Sequence, residues 1–138
     1  MKKFHLLICF LMAFSLSACR NDGGAESTDD LLRLGRTYSN AGDSRNAILA
    51  LTKASRSAGR DSASLGLIFS EIAKVYRQTG DYAEEISYLA KAEKAYDNSG
   101  KPYSSRMARF ESAVASYRAQ DYKTASVALK SVMDDAVA

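Results

Sequence analysis

The chain has 138 residues, of which 46% are hydrophobic and 25% charged, with a single proline. That suits one folded, helix-rich domain and excludes a disordered chain. The formal net charge is +3. Setting aside Lys2 and Lys3, which fall in a segment expected to be cleaved, 17 basic residues face 16 acidic ones. So even a balance leaves no electrostatic footprint for nucleic acid, and no nucleic-acid partner is expected.

The chain opens with Lys2-Lys3 and an apolar run from Phe4 to Leu16. This is short of the roughly 20 residues a membrane span needs and fits a secretory signal over residues 1–18. Leu16-Ser17-Ala18-Cys19 follows at once and resembles the bacterial lipobox, in which the cysteine is acylated on sulfur and becomes the new N-terminus. The alternative is an ordinary signal peptide with a chance cysteine. On the lipobox reading Cys19 is the lipidation site and residues 19–27 form a polar tether. Two or three acyl chains then hold the protein on the lipid bilayer, since one chain alone is marginal. Arg20, rather than Asp, follows the cysteine. By resemblance to lipoprotein sorting, that favours the outer membrane of a Gram-negative bacterium, facing the periplasm; a Gram-positive source would place it on the plasma membrane. Cleavage also removes His5 and Cys9, so no intramolecular disulfide is expected.

From residue 28 onward the apolar positions repeat. Leu31, Leu34, Gly35 and Tyr38 precede Gly42-Asp43, then Ala47, Leu51 and Ala54. Phe69, Ile72, Ala73 and Tyr76 precede Gly80-Asp81, then Glu85, Leu89 and Ala92. Phe110, Ala113, Val114 and Tyr117 precede Asp121, then Ala125, Leu129 and Val132. Each first set is one stripe of an α-helix, and so is each second set. Asp61, Asp81 and Asp121 are placed to cap helices. Gly42, Gly59, Gly80 and Gly100 mark helix ends, and Pro102 suits a first helical turn. Six helices in three hairpins are predicted, over about 28–60, 61–99 and 101–137.

These residues resemble the tetratricopeptide repeat. The resemblance implies an all-α fold, three helix-turn-helix hairpins stacked as a short right-handed α-solenoid over residues 28–138. The packing residues it implies are Leu34, Gly35, Tyr38 and Ala47, then Ile72, Ala73, Tyr76 and Leu89, then Phe110, Tyr117, Ala125 and Leu129. Tyr82 and Tyr122 are packing residues in the same pattern. Departures are the longer spacing between tyrosines, Glu85 in place of a small residue, a third turn one residue shorter, and no proline closing the second helices.

By the same resemblance the first helix of each hairpin lines a concave groove for a protein or peptide partner. The inward positions carried over are Leu32, Arg36, Ser39 and Asn40; Ser70, Lys74, Arg77 and Gln78; and Glu111, Ala115 and Arg118. Arg36, Lys74, Arg77 and Arg118 are expected to form a basic stripe suited to a carboxylate. Arg36 and Lys74 replace the amide of the chaperone-tail type of groove, so that ligand is not expected.

Catalytic chemistry finds little footing. The mature chain carries no histidine, hence no imidazole catalyst and no Cys/His zinc site, and there is no Gly-rich phosphate loop. No metal, cofactor or enzymatic activity is expected. Ser70 and Lys74 stand one turn apart, but serines are too common for the pair to mean much. Glu84 and Glu85 near Lys91 and Lys94 read as a solvated helix face. If Val127, Met133 and Val137 are not covered from within, they form an apolar edge for self-association; otherwise the long fifth helix covers them. The function expected is a membrane-anchored protein–protein interaction adaptor in the cell envelope, of the kind that helps assemble a pilus, secretion or outer-membrane complex. The alternatives are a self-associating structural lipoprotein or an accessory factor of a cell-wall enzyme.

Overall fold

The computed structural model describes residues 26–137. The leader, Cys19 and the tether up to Ala25 lie outside them. Six helices follow one another: α1 (Thr28–Asn40), α2 (Ser44–Ala58), α3 (Ser62–Thr79), α4 (Tyr82–Asn98), α5 (Pro102–Arg118) and α6 (Tyr122–Val137). No strand occurs among the described residues. None of these helices is long and apolar enough to cross a membrane. Each helix packs chiefly on its neighbours in sequence, with α1 also touching α3. That is the serial contact pattern of a helical-hairpin solenoid, in which no hairpin buries its apolar face alone.

Side chains fix where the helices begin. Asp43, Asp61, Asp81 and Asp121 accept hydrogen bonds from the free N–H groups of the turn that follows, at Asn46, Ala63 and Ser64, Glu84, and Thr124 respectively. Ser27 does the same for α1 through the N–H of Asp30.

The three hairpin turns share one backbone pattern. The N–H groups of Asp43, Asp81 and Asp121 donate to the carbonyls of Tyr38, Tyr76 and Ser116, at 2.9, 3.0 and 3.0 Å. Before each Asp sits a left-handed residue: Gly42, Gly80 and, in the last turn, Gln120 with φ 64°. Counted from the turn, Ser116 and not Tyr117 therefore occupies the place of Tyr38 and Tyr76. The whole of α5 is offset by one residue from the stripe that the sequence suggests.

This offset corrects the packing of the third hairpin. The buried residues of α5 are small: Ser105, Ala108, Ala113, Ala115 and Ser116. Phe110 and Tyr117, expected in the core, are 42% and 62% exposed, and Tyr122 is exposed beside Tyr117 with ring centroids 5.3 Å apart. Leu34 is also 38% exposed, for a different reason: among the described residues no hairpin stands before α1. Ile72, its counterpart on α3, is covered by the first hairpin.

The main core joins hairpins one and two through Leu31, Leu32, Ala47, Leu51, Ala54, Ile68, Ile72 and Val75. Gly35 permits the approach of α2, since a Cβ there would stand 2.5 Å from Leu51 Cγ. Ala73, Leu89 and Ala125 are buried as well, while Tyr38, Tyr76 and Leu129 are half-buried.

Candidate partner-binding surface

The faces that α1, α3 and α5 share are tied together by polar side chains. Arg36 of α1 donates from Nε to Glu71 of α3 at 2.7 Å, and Ser39 donates to Gln78 at 3.1 Å. One step on, Arg77 of α3 donates from Nη2 to Glu111 of α5 at 2.7 Å. The expected basic stripe is thus largely neutralised from within. Arg36 and Arg77 already hold carboxylates, and Arg118 lies 3.5 Å from Glu85. Lys74 is exposed and pairs with no carboxylate among the described residues.

Glu85 is the surprise of this region, because the sequence placed it on a solvated face. It is 0% exposed. It stands four residues after the cap Asp81, where Ala47 and Ala125 stand after theirs, and so points between helices. Arg77 Nε donates to its Oε1 at 2.6 Å, and Arg118 approaches the same oxygen from α5. Its other oxygen has no hydrogen-bond partner among the described residues. Burial works against the charge of Arg77, but the hydrogen bonds to Glu85 and Glu111 outweigh it and raise its pKa above the usual value. One carboxylate on α4 therefore gathers guanidinium groups from α3 and α5.

The residues carried over from the repeat pattern divide into two groups. Leu32, Ser39 and Ala115 are buried and offer nothing to a partner. Asn40, Lys74, Gln78 and Arg118 are exposed, and Arg36, Ser70, Arg77 and Glu111 are half-buried. The hydroxyl of Ser70 donates to the carbonyl of Gly66 at 3.0 Å and lies 3.4 Å from the Tyr96 hydroxyl, so it is committed to helix and packing.

What sequence reasoning missed on this face is apolar. Counted from the turn, Ser70, Lys74, Arg77 and Gln78 of α3 correspond to Phe110, Val114, Tyr117 and Arg118 of α5, in place of Glu111, Ala115 and Arg118. Phe110, Val114 and Met107 line a hollow of 210 Å³ with Arg77, Glu111 and Arg118. Met107 also borders a second hollow of 280 Å³ with Ser70, Tyr96, Tyr103, Ser104, Ala108 and Glu111. Counting back from Asp121 instead of from Tyr117 would have found this stripe. Among the described residues no cluster of His, Cys, Asp or Glu could hold a metal ion.

A helical-hairpin solenoid with an open apolar-and-polar face is the architecture of a protein-interaction scaffold. Within that class, residues 31–60 and 68–99 match the family model described as tetratricopeptide repeat. The first two hairpins are thus similar to tetratricopeptide repeats over these segments, and repeats of that kind bind protein partners. The third hairpin lies outside the matched segments, consistent with its offset and its small-residue packing. No catalytic family is matched. No curated protein and no solved structure matches the chain.

Proposed function

We propose that the chain is an adaptor, anchored to the cell envelope through acylated Cys19, which holds a partner protein for the assembly of an envelope complex such as a pilus, secretion or outer-membrane machine. The observation that carries the adaptor reading is the pair of adjoining hollows that share Met107 and Glu111, one lined by Phe110 and Val114 of α5 with Arg77 and Arg118, the other by Ser70 of α3 with Tyr96 and Tyr103. An apolar stripe rimmed by polar groups is the usual makeup of a protein-binding patch. Because Arg36, Arg77 and Arg118 face internal carboxylates, this surface suits an apolar peptide better than an acidic tail. The anchor reading is supported by Leu16-Ser17-Ala18-Cys19 at the end of the apolar leader.

A photo-crosslinking residue placed at Phe110 in the full chain, expressed in its own cells, tests the adaptor. A discrete adduct at Phe110 and none at Lys53 on the outer helix is expected; no adduct at Phe110 contradicts it. Palmitate labelling that is lost in Cys19→Ala supports the anchor, and label that persists refutes it. A second reading, self-association through the last helix, is favoured by Met133 and Val137, which are 68% and 90% exposed. Light scattering of the full chain in detergent decides it: a particle of one chain's mass removes it.

A further inference from the structure

In the second hairpin aromatic rings fill the seam between the helices. Tyr96 of α4 lies against Gly66 of α3, so closely that a Cβ there would stand 2.6 Å from the ring. Tyr88 stacks on Tyr76 with centroids 5.6 Å apart and tilts against Phe69 at 6.2 Å. Counted from the turn Asp, the third hairpin has Ala136 for Tyr96, Arg106 for Gly66 and Ala128 for Tyr88. Arg109 and Ser116 stand for Phe69 and Tyr76. Each ring of the seam has been replaced by a small or charged side chain. What is left between α5 and α6 is an open cleft of 340 Å³ lined by Tyr103, Arg106, Met107, Phe110, Val132 and Ala136.

One cation borders this otherwise apolar lining. Arg109 is held by Glu93 at 2.9 Å and by Asp135. Arg106 meets no carboxylate among the described residues and reaches only the carbonyl of Asp135, at 3.4 Å.

We propose that this cleft receives a large aromatic side chain from an amphipathic helix of a partner protein, with a carboxylate one turn from the ring meeting Arg106. The inference rests on the adaptor reading and names the chemistry of one partner element. Shape selects the ring, because the place left by the missing Tyr96 counterpart is the place a helix-borne ring fills one hairpin earlier. Charge selects the acid, because a half-buried guanidinium beside an apolar cleft gains most from a carboxylate that the protein does not itself supply. Two copies joined cleft to cleft fit less well, since the lining offers no carboxylate to its own twin.

Residues 82–98 supply a ready probe. As a labelled peptide they carry Tyr96 with Glu93 three residues earlier, on one helical face. Titrated with the full chain and followed by fluorescence anisotropy, this peptide is expected to bind saturably. Peptide Tyr96→Ala, or protein Ala136→Tyr, which fills the cleft from within, is expected to weaken binding by about tenfold or more. Protein Arg106→Glu weakens it severalfold, and peptide Glu93→Lys restores binding to that variant. Circular dichroism of each variant checks that the helices remain. No saturable binding, or binding that Ala136→Tyr leaves unchanged, overturns the proposal. A full-chain dimer that Ala136→Tyr dissociates gives the cleft to a second copy and also overturns it. A crosslink at Val114, which lines the α3–α5 hollow and not the cleft, separates the two readings: failure here with that adduct intact sinks the cleft alone, and loss of the adduct with peptide binding intact sinks the adaptor reading.

Discussion

Glu85 shows how much one side chain can organise. A buried carboxylate is costly unless it is paired and hydrogen-bonded. Here Arg77 and Arg118 supply the pairing from the helices on either side, so the third hairpin is pinned to the second through a charge. Its counterparts Ala47 and Ala125 show that the position itself asks only for a small residue. Glu85→Ala removes the desolvated charge but leaves Arg77 Nε without its acceptor and Arg118 without its carboxylate, while Arg77 keeps Glu111. A loss of about 2 kcal/mol is expected in urea unfolding, below the range for a fully buried pair because both arginines reach solvent. The combined change of Glu85 to Ala with Arg77 to Met is expected to recover part of it. The substitution was visible in the sequence; its burial was not. The partners lie 8 and 33 residues away; the turn at Asp81 brings Arg77 to Glu85, and only the stacking of hairpins brings Arg118.

Asp61 carries a second prediction at this scale. The Ser64 hydroxyl and N–H, then the Ala63 N–H and the charge of Lys101, hold its carboxyl below the ordinary value of 3.8. A carboxylate whose folded pKa is depressed adds stability above its unfolded pKa and loses it as pH falls through the lower folded value. The chain is therefore expected to weaken below about pH 4. Asn caps a helix about as well as Asp without titrating. Thermal melts of Asp61→Asn between pH 2 and 6 are thus expected to show a flatter acid limb than those of the parent. An unchanged limb removes this role.

Among the helices, the third turn is where local chemistry and fold disagree. Gln120 occupies the left-handed position that Gly42 and Gly80 take in the other hairpins, and a residue with a Cβ is strained there by about 1 kcal/mol. Gln120→Gly is expected to raise stability by about that amount in chemical denaturation; a loss would mean that the Gln side chain holds the turn. This element also marks the limit of what could be read in advance. The helix count, the caps and the first two hairpins follow from periodicity and punctuation, because stripes of apolar residues and Asp after Gly are local signals. In the third hairpin the side-chain pattern points one residue off, because Tyr117 looks like Tyr38 and Tyr76. The backbone obeys the turn, whose hydrogen bond from Asp121 to Ser116 sets the rotation of α5. A ring can be tolerated at the surface more readily than that turn can be rebuilt. Phe110, Tyr117 and the partner-facing stripe were therefore hidden by a resemblance of side chains.

The whole molecule is a stack with unlike ends. At the first end α1 shows a mainly polar outer side, with Asp30, Arg33 and Thr37 around Leu34. At the last end α5 and α6 leave Tyr103, Met107, Phe110, Met133 and Val137 uncovered. Stacked repeats present polar faces where they meet solvent, and the apolar outer face of the last described hairpin is the kind of surface the proposed partner would cover. All of this depends on the rotation of α5. Maleimide reactivity of single cysteines at Phe110, Tyr117 and Ala115, in a chain with Cys9 and Cys19 replaced by Ser, reads that rotation directly. Cysteine at 110 and 117 is expected to react at rates near those of the unfolded chain, while cysteine at 115 is protected until global unfolding. Protection at 110 and 117 with fast reaction at 115 would contradict the account.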